Sequence, residues 1–116
     1  MQRVAAVGIA AVLLVAGVGC SKGSSATTCQ DPTKASTIEI KDFSYSPVCT
    51  STASGATLTI SNTGSQPHSF TVKGTDVNVM VPAGQHADAS LAGVPAGTYE
   101  VVCTLHPQMV AALRIG

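Results

Sequence analysis

The chain has 116 residues, a formal net charge of zero and only 10% charged side chains. That length suits one ordinary domain, and the charge leaves neither a basic patch for nucleic acid nor an acidic run for a highly charged partner. Aromatic residues make up only 3% of the chain, so no platform for stacking bases or sugars is apparent.

The N-terminus reads Met1-Gln2-Arg3, then an unbroken apolar run from Val4 to Gly19, then Cys20. A basic start, an apolar stretch and a small-residue end mark a secretory signal. The run falls just short of the about 18–20 residues a spanning helix needs, which makes a permanent single-pass anchor the alternative. Val18-Gly19-Cys20 resembles a bacterial lipobox, with Gly17 where Leu is usual, so Cys20 is expected to be lipidated. The alternative is an ordinary cleaved signal with Cys20 incidental. Lipidation would hold the protein at a membrane, each buried CH2 contributing about 0.8 kcal/mol. Residues 21–28, Ser-Lys-Gly-Ser-Ser-Ala-Thr-Thr, have the composition of a flexible linker. The expected folded domain is then 29–116, behind a signal at 1–20.

From there the apolar pattern has period two rather than 3.6. Thr37-Ile38-Glu39-Ile40-Lys41 alternates, and Phe43 and Tyr45 lead through Pro47 to Cys49 as a short or bent second strand. Ser51 to Gly55 reads as a turn-rich loop. Thr57 to Ser61 alternates again before the turn signal Asn62-Thr63-Gly64-Ser65. Phe70 with Val72, then Val77, Val79 and Val81, then Ala87, Ala89 and Leu91 mark successive strands. Tyr99 and Val101 face inward on the next strand, and Ala111, Leu113 and Ile115 on the last. No part of 29–116 sustains helical periodicity. Short strands punctuated by Gly and Pro turns predict an all-β sandwich.

The chemistry concentrates in Cys103-Thr104-Leu105-His106-Pro107-Gln108-Met109. A thiolate, an imidazole and a thioether in so short a loop can surround one point, and such soft or borderline donors suit copper better than magnesium or calcium. Zinc also takes Cys-x-x-His ligands, but it rarely takes Met. A trigonal His2Cys site needs a second imidazole. Counting back by two from Phe70 lands on His68, counting on by two from Val101 lands on Cys103, and counting back by two from Ala111 lands on Met109. All three share core-face parity at a strand end, which favours one site built from His68, Cys103, His106 and Met109. Of the remaining candidates, His86 reads as a surface histidine and Met80 as a partly exposed sheet residue.

Cysteine use follows from this allotment. With Cys20 given to lipid and Cys103 to metal, Cys29 and Cys49 remain, and an exported chain would join them as a disulfide.

The segment Asn62 to Phe70 (Asn-Thr-Gly-Ser-Gln-Pro-His-Ser-Phe), followed later by Gly-Thr-Tyr and Cys-Thr-Leu-His-Pro-Gln-Met, resembles the plastocyanin-like cupredoxins. The ligand loop is closest to the amicyanin type. The resemblance covers about Thr37 to Gly116. It implies a Greek-key β-sandwich of about 7–8 strands with one type 1 (blue) copper ion per chain, held by His68, Cys103, His106 and Met109. It also implies transfer of single electrons between envelope redox proteins that dock near His106. The chain would be a monomer, exported to the bacterial cell envelope, in the periplasm or on the outer face of the plasma membrane. A copper-binding protein for delivery or storage is the alternative function. No catalytic constellation is visible, and a site filled by four ligands leaves no place for substrate, so an enzyme is not expected.

Three positions depart from the family pattern. Ser69 stands where Asn is frequent, and its hydroxyl is expected to tie to the Thr104 backbone. Leu105 stands where Pro is common between the Cys and the second His, and it brings an N–H that could reach the Cys103 sulfur. Val102 stands where plastocyanins have Tyr, which leaves the edge of His106 as the expected electron port.

Overall fold

Alternation of apolar and polar residues produces two sheets with no helix among the described residues, 29–116, of the computed structural model. The expected signal, the lipidated Cys20 and the linker 21–28 lie outside them. One sheet contains β1 (Thr33–Lys34), β4 (Cys49–Thr52), β10 (His106–Ile115), β9 (Gly97–Cys103), β6 (His68–Val72) and β7 (Asn78–Val81), in that spatial order. The other contains β3 (Ser44–Ser46), β2 (Thr37–Lys41), β5 (Thr57–Asn62) and β8 (His86–Ser90). The all-β sandwich is as expected. The strand count rises to ten because β1 has only two residues and the expected bent second strand is two strands. Pro47 lies between those two, β3 and β4, where the chain leaves one sheet for the other; a residue without a backbone donor cannot continue the ladder. The segment read as a loop from Ser51 instead continues β4 to Thr52, because it finds a parallel partner in β10.

The core follows the alternation. Ile38, Ile40, Leu58 and Ile60 from the smaller sheet are buried in one cluster with Phe70, Val72, Val101, Leu113 and Ile115 from the larger one. Each such side chain stabilises the fold by about 1.5–3 kcal/mol on burial. Tyr45 crosses between the sheets: its ring lies edge-on to Phe70, 6.2 Å between centroids, and its hydroxyl donates to the Ser69 carbonyl at 2.6 Å.

Strand direction brings one end of the sandwich together. β9 runs into that end and β10 leaves it, with His106 opposite Cys103 across the reversal. β6 is antiparallel to β9 and also starts there. From the other sheet, Ile40 pairs with Asn62 near the ends of the parallel strands β2 and β5. The Asp42–Phe43 turn after β2 and the 63–67 loop before His68 therefore emerge side by side.

Cys29 and Cys49 form a disulfide, with Cα atoms 5.6 Å apart and a sequence separation of 20. It fastens the start of the described chain to β4, which β1 also pairs in parallel. A loop of this size stabilises a domain by about 3 kcal/mol on the chain-entropy model. Replacing both cysteines by Ser (C29S with C49S) is expected to lower the unfolding free energy by about that amount in a denaturant titration.

Candidate metal centre

His68 sits at the head of β6 because Asn62 shapes the loop before it. The buried Asn62 amide donates to the Gln66 carbonyl at 2.8 Å and to the Val81 carbonyl at 3.0 Å, and its Oδ1 accepts from the Gly64 amide at 2.9 Å. These bonds replace ladder partners that the loop cannot supply, so the imidazole is presented from a fixed backbone. Cys103 ends β9, Thr104 and Leu105 make the turn, and His106 begins β10. The register of β10 against β9 then shifts between His106 and Val110. Met109 lies within that irregularity, yet it keeps its core-facing side.

The structure brings the four sequence-predicted residues to this one end. His68, Cys103 and Met109 are 0%, 1% and 2% exposed, and His106 is half-buried. The Cys103 thiol is free, and its sulfur faces His68 Nδ1 at 3.8 Å. The His68 and His106 rings lie 4.9 Å apart between centroids, tilted by 54°. Met109 and His106 line the same shallow depression with Leu105 and Pro107. Among the described residues no three His, Cys, Asp or Glu side chains converge into a cage by themselves; the close approaches come in pairs. The donor types, two imidazoles, a buried thiol and a buried thioether, fit a soft or borderline ion. His86 and Met80 are exposed, outside this group.

Burial, chiefly, pushes the His68 pKa below its ordinary value, and the neighbouring His106 adds to this while the Asp42 backbone opposes it. The neutral imidazole that results is the form a metal requires. Its Nε2 is buried and finds no hydrogen-bond partner among the described residues. Burial pushes the Tyr45 phenol far up, and the electrostatic influence of the nearby Cys103 adds to the effect. Tyr45 is therefore a permanent donor to Ser69.

Ser69 links the two halves of the site. Its amide donates to the Cys103 sulfur at 3.2 Å, and its hydroxyl accepts from the Thr104 amide at 2.9 Å. The hydroxyl lies also 3.0 Å from Thr71 Oγ1 and 3.3 Å from Thr104 Oγ1. The short side chain thus makes the tie expected of it, at an ordinary hydrogen-bond length. The expectation for Leu105 fails: among the described residues the sulfur accepts one amide hydrogen bond, and Ser69 makes it. Leu105 belongs to a turn whose side chain points outward, 47% exposed.

Two contributors escaped the sequence reading. Tyr45 read only as part of the bent second strand, and its hydroxyl was given no role at the site. Phe43 looked like a strand residue on the face of Tyr45, but it occupies the turn and packs on both imidazoles, with ring centroids 5.9 Å from His68 and 4.9 Å from His106. The one available signal was Asp42-Phe43 between two alternating segments, a pair with no Gly to announce a turn.

Changing Ser69 to Ala should leave the amide bond to sulfur intact and strip the Thr104 amide of its partner. The expected cost is about 1–3 kcal/mol of stability in the metal-free protein, read by denaturant unfolding.

The chain matches the family described as cupredoxin-like domain over residues 9–113. Among solved structures, a novel purple cupredoxin from Nitrosopumilus maritimus aligns with a TM-score of 0.60 and 21% identity, over 71% of this chain and 100% of that one. The reduced Cu(I) form of an amicyanin variant at pH 4 aligns with a TM-score of 0.58 and 22% identity, over 69% of this chain and 80% of that one. The reduced state of a second amicyanin variant gives 0.58 and 23% over the same shares. At these identities the likeness is one of fold. No curated protein matches the chain.

Proposed function

We propose that this chain, which belongs to the cupredoxin-like domain family, holds one copper ion through His68, Cys103, His106 and Met109 and carries single electrons between redox proteins. The observation that carries this reading is the buried approach of His68 Nδ1 to the free Cys103 sulfur, with the Ser69 amide already hydrogen-bonded to that sulfur. Copper, when bound, supplies a one-electron couple. The chain's own residues do the rest. Cys103 would hold the ion through its sulfur as a thiolate, and the Ser69 N–H would disperse part of that charge. His68 and His106 would contribute imidazole nitrogens, and Met109 a weak thioether donor. Four protein ligands leave no position for substrate, which favours a carrier over an enzyme.

His68, Cys103 and Met109 are closed off from solvent, whereas His106 is half-buried among Phe43, Leu105 and Pro107. Electrons would pass at this edge, and redox partners would dock here. Lipidation at Cys20, with 21–28 as a tether, would place the carrier at the bacterial cell envelope.

The copper-loaded protein should show the intense visible absorption and narrow copper hyperfine splitting of a thiolate–Cu(II) site, and Cys103→Ser should lose both. A colourless parent, or a mutant that stays blue, would sink the ligand assignment. A carrier should also keep its copper against a chelator through repeated oxidation and reduction. Ready surrender of Cu(I) would favour delivery or storage instead. Since Phe43, Leu105 and Pro107 carry no charge, self-exchange of electrons between two copies should vary little with ionic strength. The same rate should fall in Leu105→Glu, which brings two like charges together at the contact.

A further inference from the structure

Phe43 is 59% exposed, unusual for a large apolar ring, yet it is not loose. Its ring stands nearly perpendicular to both imidazoles, at 86° to His68 and 75° to His106. With the His68–His106 separation of 4.9 Å, the three rings form one cluster. Such edge-to-face arrangements are favourable beyond simple burial.

The backbone holds the ring there deliberately. Asp42 and Phe43 are the two residues between the paired ends Lys41 and Ser44. Asp42 takes φ of 53°, a left-handed conformation that Asp tolerates better than most side chains. The turn rests on the loop leading to His68: a Cβ added to Gly64 would lie 3.2 Å from the Asp42 amide nitrogen. The absence of that carbon permits the close seating. The oxygen that fixes Gly64 belongs to Asn62, whose amide also fixes the His68 loop. Phe43 and His68 therefore share one anchor, although they reach the site from different sheets.

We propose that Phe43 is a positioning residue of the metal centre: its ring fixes the relative orientation of the His68 and His106 imidazoles and covers the solvent side of His106. His106 most needs such support. It heads β10 just before the register shift, so its backbone on that side lacks regular ladder neighbours. This inference rests on the two histidines being ligands, but its first test needs no metal.

In the metal-free protein, carbethoxylation by diethyl pyrocarbonate followed by mass spectrometry reads His106 against the exposed His86 as internal reference. Phe43→Ala should raise the His106/His86 rate ratio by about threefold to tenfold, the range an aromatic pair of ordinary strength implies. Phe43→Tyr should keep the parent ratio, Phe43→Leu should fall between, and Val48→Ala, which removes exposed apolar surface elsewhere, should match the parent. An unchanged ratio in Phe43→Ala, full protection in Phe43→Leu, or a rise in Val48→Ala overturns the proposal. In the copper-loaded protein, Phe43→Ala should lose Cu(I) to bicinchoninate faster than the parent and Phe43→Tyr; equal rates also overturn it. Failure of every variant to bind copper would refute the proposed function, and the metal-free ratio would still decide the role of Phe43.

Discussion

The hydrogen bond from the Ser69 amide to the Cys103 sulfur is the contact on which the rest of this site depends. It joins two strands that meet in register further along, at Thr71 and Val102, and converts that pairing into a fixed distance between an imidazole and a thiol. Its strength comes from its surroundings. A buried sulfur without a donor would carry the cost of an unpaired polar group, whereas a buried amide aimed at it satisfies both. Every polar atom of Ser69 is engaged, its N–H with the Cys103 sulfur. The carbonyl accepts from Tyr45, and the hydroxyl accepts from Thr104. Rigidity here is the sum of three directions of restraint on one small residue.

Period two made most of the frame legible. It marked β2, β5 and the strands carrying Phe70, Val101 and Leu113 without any tertiary information, because each has one face buried and side-chain direction alternates along a strand. The same count located His68, Cys103 and Met109 on the core side, and all three are buried. Met109 shows how such a count survives a local irregularity: the shift lies between His106 and Val110, and the face is recovered at Ala111. What parity could not show is where a strand stops. Phe43 alternates correctly with Tyr45 but lies beyond the last ladder pair, so its ring faces the end of the sandwich rather than its interior. The partner choice of a short polar strand such as β4 was equally hidden, because its pairing with β10 comes from the backbone alone.

Leu105 shows a different limit. Its N–H is a property of residue type, and the absence of Pro there was legible. Its direction is a property of the turn. With Cys103 and His106 paired across only two intervening residues, the turn is too tight to send every amide inward, and the sulfur is served from β6 instead. A donor supplied by a neighbouring strand is better restrained than one in the turn itself, because β6 is held on both sides, by β7 and β9.

That asymmetry of restraint would account for the division of labour proposed for the two histidines. His68 lies on a strand with neighbours on both sides, behind a loop that Asn62 ties down, and it has no exposed surface. His106 lies where β10 begins, before regular pairing resumes, and it reaches solvent. An electron port needs a ligand near the surface to bring a partner within transfer distance. A carrier also needs little movement between its oxidation states. As the proposed ligand, a half-buried His106 on an irregular strand start would meet the first need and endanger the second. The Phe43 ring from the opposite sheet, seated on the same Asn62–Gly64 anchor that positions His68, would reconcile them by restraining the exposed imidazole and leaving an uncharged, apolar edge for contact.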